Sequence, residues 1–143
     1  MCWLSWRDLW RERSGSAAVE FAVVGPLFLL LFFGIAAYGI YFSAGHSVEQ
    51  IAADAARTAI AGLDETERKQ LAARYVERNA YRYTFIAPDR LKVDVADSKS
   101  DAQQFEVSVR FDARGLPIWS LLSHVPLPNL DIQRTSTIRI GGV

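Results

Sequence analysis

The chain has one cysteine, Cys2, among 143 residues. A lone thiol forms no internal disulfide and no cysteine cluster for a metal, so the fold is expected to use neither. Histidine is scarce too: His46 and His124 stand apart, without sequence neighbours that suggest a triad or a metal site. There is no glycine-rich phosphate loop and no G-x-S-x-G. The acidic stretch "DVADSKSD" at 94–101 lacks the glycine and terminal glutamate of a calcium loop and reads as a solvated turn. Charge of one sign is not in excess either. The formal net charge is zero, and the arginines are interleaved with acids, which leaves no basic face for nucleic acid. These absences lead to an expectation of no enzyme, with no catalytic residues, no metal, no cofactor and no nucleic-acid partner.

One further absence is local. From Phe21 to Phe42 no Asp, Glu, Lys, Arg or His occurs. A helix over those residues rises about 33 Å, against a bilayer core of about 30 Å. The segment is therefore read as a transmembrane helix, and the membrane as a partner. Arg7, Arg11 and Arg13 precede it, whereas Arg57 is the first Lys or Arg beyond it. The positive-inside rule puts the N-terminus in the cytoplasm and Gly45 onward outside. A signal peptide is the competing reading, with "SAG" at 43–45 as a weak exit site, but the apolar run is long for one.

Around the span the chain divides into a cytoplasmic leader (1–15), the transmembrane helix (16–46) and an extracytoplasmic domain (47–143). In the leader, Trp3, Trp6 and Trp10 share a helical face suited to a membrane interface. Beyond the span, Val48, Ile51, Ala52, Ala55, Ala56, Ala59, Ile60 and Leu63 recur at helical spacing. This predicts one helix from about Ser16 to Ala61, ended by Gly62. Ser47 with Gln50 offers an alternative start, a capping box, if the helix is broken there. Asp64 with Glu67 caps a second helix running to about Tyr83, with Leu71, Tyr75, Val76, Asn79 and Tyr83 along one side. The period then changes to two. "LKVDV", "FEVSVRF" and "DIQRTSTIRI" predict three antiparallel strands, polar on one side. The proline-punctuated stretch 115–129 is expected to hold a short helix around Ser120–Ser123, either in the core or at an interface. The fold class is α+β: a long N-terminal transmembrane helix continuing into an amphipathic helix, a second helix, then a small antiparallel sheet of about three strands.

Glu20 stands at the threshold of the apolar run, and Gly15-Ser16 stands just before it. A cut between Gly15 and Ser16 would place Glu20 fifth in the new chain and remove the three arginines. The new ammonium and the Glu20 carboxylate would then be available to pair with a neighbouring helix in low dielectric, which fixes register. The stretch "RSGSAAVEFAVVGPLFLLLFFGI" resembles the start of TadE-like pseudopilins of the tight-adherence (Flp, type IVc) pilus system. Gly15, Glu20, Phe21 and Pro26 carry that resemblance residue by residue. "LDIQRTSTIRI" also resembles the family's closing strand, more loosely.

The resemblance implies a bacterial inner-membrane, single-pass protein that acts as a minor pilin-like component. It implies a processing site at Gly15 and Ser16, cut by a prepilin peptidase, and an assembly motif of Glu20, Phe21 and Pro26. Other pilins, pseudopilins and pilus assembly proteins are the implied partners. The alternative function is a membrane-anchored sensor or adaptor that keeps its head and binds a ligand outside.

Overall fold

In the computed structural model, residues 13–98, 101, 103–121 and 129–140 are described. The tryptophan leader and His124 lie outside them. Helix α1 spans Arg13–Ala59, α2 spans Glu65–Asn79 and α3 spans Ile118–Leu121. Strands β1 (Leu91–Asp97), β2 (Gln104–Asp112) and β3 (Asp131–Arg139) form one antiparallel sheet in the order β1-β2-β3. The predicted α+β class and all three strands are present. The chain divides into two compact units, Met1–Ala36 and Ala37–Val143, and α1 contributes to both.

In the first unit, α1 is apolar and exposed nearly all round, from Val19 through Ile35. In the second unit α1 is one-sided. Ala44, Val48, Ile51, Ala52, Ala55, Ala56 and Ala59 are buried, whereas Glu49, Gln50 and Arg57 face water. The alanines matter because a helix lined with methyl groups approaches a sheet more closely than one lined with leucines. The sheet answers with Val95, Phe105, Val107, Val109, Phe111 and Ile132, all buried. Its register explains the alternation: Val93 opposes Val109, Val95 opposes Val107, and Phe105 and Phe111 oppose Ile138 and Ile132. Burying each phenylalanine contributes about 1.5–3 kcal/mol. Leu116 and Ile118 are also buried, so the start of the proline-rich stretch belongs to the core.

Four boundaries differ from expectation. Helix α1 already includes Arg13, Ser14 and Gly15, ahead of the expected start at Ser16, so the candidate processing bond lies inside the helix. It ends at Ala59 rather than Ala61, and Gly62 N–H donates to the Ala59 carbonyl (3.0 Å). Ile60 and Leu63 therefore leave the buried face, and Leu63 is 91% exposed. The reason is steric. A Cβ on Gly62 would stand 2.7 Å from the Arg68 backbone nitrogen, so the chain turns where the glycine admits α2. Helix α2 stops at Asn79, not about Tyr83, and a 3-10 turn, Ala80–Arg82, follows. There the Asn79 side-chain amide donates to the Tyr75 carbonyl (2.8 Å), a local competition with the helical ladder. The short helix of the proline-rich stretch starts two residues early, at Ile118. Ser47 caps nothing. It lies inside a continuous α1, and its hydroxyl donates to the Thr84 carbonyl (3.1 Å).

The predicted cap of α2 forms as a reciprocal pair. Asp64 Oδ1 accepts from Glu67 N–H (2.8 Å), and Glu67 Oε2 accepts from Leu63 N–H (2.8 Å). After the 3-10 turn, Tyr83 to Ile86 make a tight turn in which Ile86 N–H donates to the Tyr83 carbonyl (3.4 Å). Phe85 sits at its third position with φ of 62°. Glycine or asparagine is the usual occupant there, and a phenylalanine costs about 1–2 kcal/mol.

Candidate functional site: the N-terminal helix

The chemistry-bearing residues singled out in the sequence lie on α1. No proline or glycine interrupts Ala17 to Val24, and there Glu20 is the one polar side chain among alanine, valine and phenylalanine. Gly15 lies in open space: a Cβ there would meet no atom within 4 Å. Glu20 follows five residues later, on the order of 7.5 Å further along the helix, and is exposed. Phe21, at 77% exposure, lies beside Gly25, where a Cβ would meet its ring at 3.7 Å. Pro26 follows. It has no N–H, so the Ala22 carbonyl loses its helical donor.

These residues share a neighbourhood. A hollow of about 520 Å³ runs between Phe21, Val24, Gly25, Pro26, Phe28 and Leu29, and its lining is almost wholly apolar. The missing Gly25 side chain makes the hollow, and the aromatic rings on either side raise its walls. Phe28 stacks on Phe32 (6.4 Å between centroids), and Phe32 meets Phe33 edge-on (5.7 Å). Phe21 and Pro26 are thus brought together around Gly25. Gly15 and Ser16 lie apart from the hollow, at the start of the helix.

The arrangement suits assembly in an apolar medium. It offers a shaped apolar surface, a carboxylate at one end and a backbone carbonyl lacking its internal partner. Such a carbonyl is tolerated in a membrane helix when a neighbour or local adjustment satisfies it. Among the described residues, no group of three His, Cys, Asp or Glu side chains is placed to hold a metal. His46 is exposed and lies 3.7 Å from Glu49.

Residues 15–57 match the model of a family described as TadE-like protein. Over those residues the chain is similar to that family. The match begins at Gly15 and ends two residues before α1 does, so it leaves α2 and the sheet outside. No curated protein and no solved structure matches the chain. The TadE-like segment covers all but the last two residues of Ala17–Ala59, the one described helix long and apolar enough to cross a membrane. It also contains Gly15, Ser16, Glu20, Phe21 and Pro26.

The periodicity of the sequence did not show what holds α1 to the rest of the second unit. Asp54 is a junction. Its Oδ2 accepts from Tyr83 Oη (2.9 Å) and Tyr75 Oη (3.4 Å), and its Oδ1 pairs with Arg57 (2.7 Å). The two phenols also bond each other at 2.8 Å. Burial raises the Tyr83 pKa above the ordinary tyrosine value, and its bonds to Tyr75 and Asp54 push it in the same direction. The available signal was the i, i+8 spacing of two tyrosines on the predicted α2 face, opposite an acid on the neighbouring helix.

Proposed function

We propose that this chain is a minor, pilin-like component of a tight-adherence pilus assembly machine. Prepilin peptidase cuts it between Gly15 and Ser16, and it works by subunit–subunit contact rather than by catalysis. The observation that carries the reading is the TadE-like match over residues 15–57. It falls on a helix whose apolar side chains are exposed over more than four turns. Such a surface is stable in lipid or against other helices, not in water.

In this reading the leader is lost on the cytoplasmic side of the inner membrane. The second unit is extracytoplasmic, and the released helix docks on other pilins or pseudopilins. Cleavage creates an ammonium at Ser16, and Glu20 lies one helical turn further along. An ammonium from one subunit and a carboxylate from its neighbour pair strongly in low dielectric, and each is costly unpaired. Pairing would therefore fix the axial register of neighbouring helices. Phe21, Gly25 and Pro26 shape the apolar contact below it.

The candidate cut lies inside α1. A protease needs an extended strand at its site, so the helix opens locally before the cut. The peptidase would act on that opened form. Replacing Glu20 with Gln preserves size and helical propensity but removes the charge. Glu20→Gln is expected to leave membrane levels of the protein unchanged while reducing piliation at least tenfold, measured by counting surface pili. Normal piliation with Gln at position 20 would remove the docking role.

A further inference from the structure

The course of the chain in the second unit places two loops at one end. Residues 43–59 of α1 run away from Phe42. The Asp54–Tyr75 and Ser47–Thr84 bonds show α2 and the turn after it returning alongside. Arg68–Asp97 (2.6 Å) and Lys69–Asp94 (2.9 Å) tie the start of α2 to the far part of β1, so β1 runs away again. Strand β2 returns and β3 departs, by their antiparallel pairing. The turn at Phe85 and the approach to β3 at Leu130 therefore lie at the end where the uncharged run leaves off. A bond from Tyr41 Oη to the Asn129 carbonyl (3.2 Å) fixes the second of these loops beside the last turn of that run.

This end is aromatic and basic. Phe85 is 43% exposed although Tyr83 and Ile86 beside it are packed into the core. The turn holds the ring outward in the left-handed region, at a position where glycine would be unstrained. Leu130 is also 43% exposed, and Phe42 is 60% exposed. Close by, Arg90, Lys92, Arg110 and Arg114 line a hollow of about 300 Å³, four cations against three aspartates. The opposite end carries Asp64, Glu65, Glu67, Asp97 and Asp101 against Arg68, Lys69 and Arg139.

We propose that this end of the second unit is a docking surface for a lipid bilayer. Phe85 and Leu130 enter the boundary between headgroups and acyl chains, and the Arg90–Lys92–Arg110–Arg114 group meets anionic headgroups. The proposal rests on the reading that residues 21–42 span a membrane. It gives the exposed, strained phenylalanine a medium in which an aromatic ring is favoured, since interfaces select aromatic side chains. It also accounts for the charge polarity, because basic groups within a Debye length of an anionic surface are attracted to it. The bilayer is favoured over a protein partner because Tyr41, in the last turn of the apolar run, bonds the loop that carries Leu130, and the cation-lined hollow complements anionic headgroups.

The test uses the full-length chain with Cys2→Ser, reconstituted in vesicles of phosphatidylcholine with or without phosphatidylglycerol. An environment-sensitive thiol probe is placed in turn at Phe85→Cys, Leu63→Cys and Phe33→Cys. Quenching by brominated acyl chains is then measured. The proposal expects strong quenching at 33 and several-fold stronger quenching at 85 than at 63. It also expects quenching at 85 to weaken in neutral vesicles and with Arg90→Glu/Lys92→Glu.

Quenching at 33 with position 85 as water-exposed as 63 overturns the docking proposal and leaves the aromatic for a protein partner. No quenching at 33 overturns the spanning reading, and this proposal with it. If the labelled Phe85→Cys chain fails to fold, amide exchange at 84–87 in the unaltered chain replaces it. Slower exchange in anionic than in neutral vesicles supports docking, and equal exchange overturns it.

Discussion

Arg68 is the most constrained charged residue among those described. It is buried at 5% exposure, bonds Asp97 at 2.6 Å and lies 5.4 Å above the Phe105 ring centroid, while its Nε is buried without a hydrogen-bond partner. Removing one partner of such a pair strands the other, which costs more than the pair contributes. Asp97→Ala is therefore expected to destabilise the protein by about 2 kcal/mol, discounted because Asp97 is about half exposed. Arg68→Met/Asp97→Ala should recover part of that loss. The neighbouring Lys69–Asp94 pair gives a contrast. Hydrogen bonding and attraction between them raise the Lys69 pKa and lower that of Asp94, yet both side chains are mostly exposed. Lys69→Ala should leave Tm unchanged. Thermal melts of the four proteins in one detergent check both statements. A lone arginine inside an otherwise charged helix start gave no sequence signal of burial, because its acid lies 29 residues away on a strand.

At the scale of elements, the α1–α2 contact depends on three polar side chains, Asp54, Tyr75 and Tyr83. Tyr83 has a folded pKa above its unfolded value near 10, so folding favours the protonated phenol. The associated stability is fully present below the unfolded value and is lost as pH rises from there toward the folded one. Tm should hold from neutral pH to about 9 and fall above about 10. Tyr83→Phe should melt lower at neutral pH but decline less steeply on the alkaline side. Parallel slopes for the two proteins would show that Tyr83 is not the group responsible.

Element types were legible because hydrophobic periods of 3.6 and 2 survive local noise. "FEVSVRF" fills β2 from Phe105 to Phe111 with the expected face buried. The ends of elements were less legible because contacts between elements set them. Gly62 ends α1 through its clearance to Arg68, and Asn79 ends α2 through its own side chain. The motif residues Gly15, Glu20, Phe21 and Pro26 were visible in the sequence. The hollow around Gly25 was not, since it depends on the Phe21 ring lying beside that glycine.

At the scale of the whole molecule, one helix carries two kinds of surface. Its first part presents apolar side chains outward, and its second part buries an alanine face against the α2–sheet unit. The TadE-like match covers most of this helix and leaves α2 and the sheet outside. In the proposed account the leader is temporary, and its removal converts an anchored precursor into a subunit with a charged tip at Ser16. The most direct measurement is the mass of the N-terminal peptide of the protein recovered from membranes, with and without the cognate prepilin peptidase. The account predicts a chain beginning at Ser16 only when the peptidase is present. A chain that keeps Arg13, Ser14 and Gly15 in both samples would contradict it.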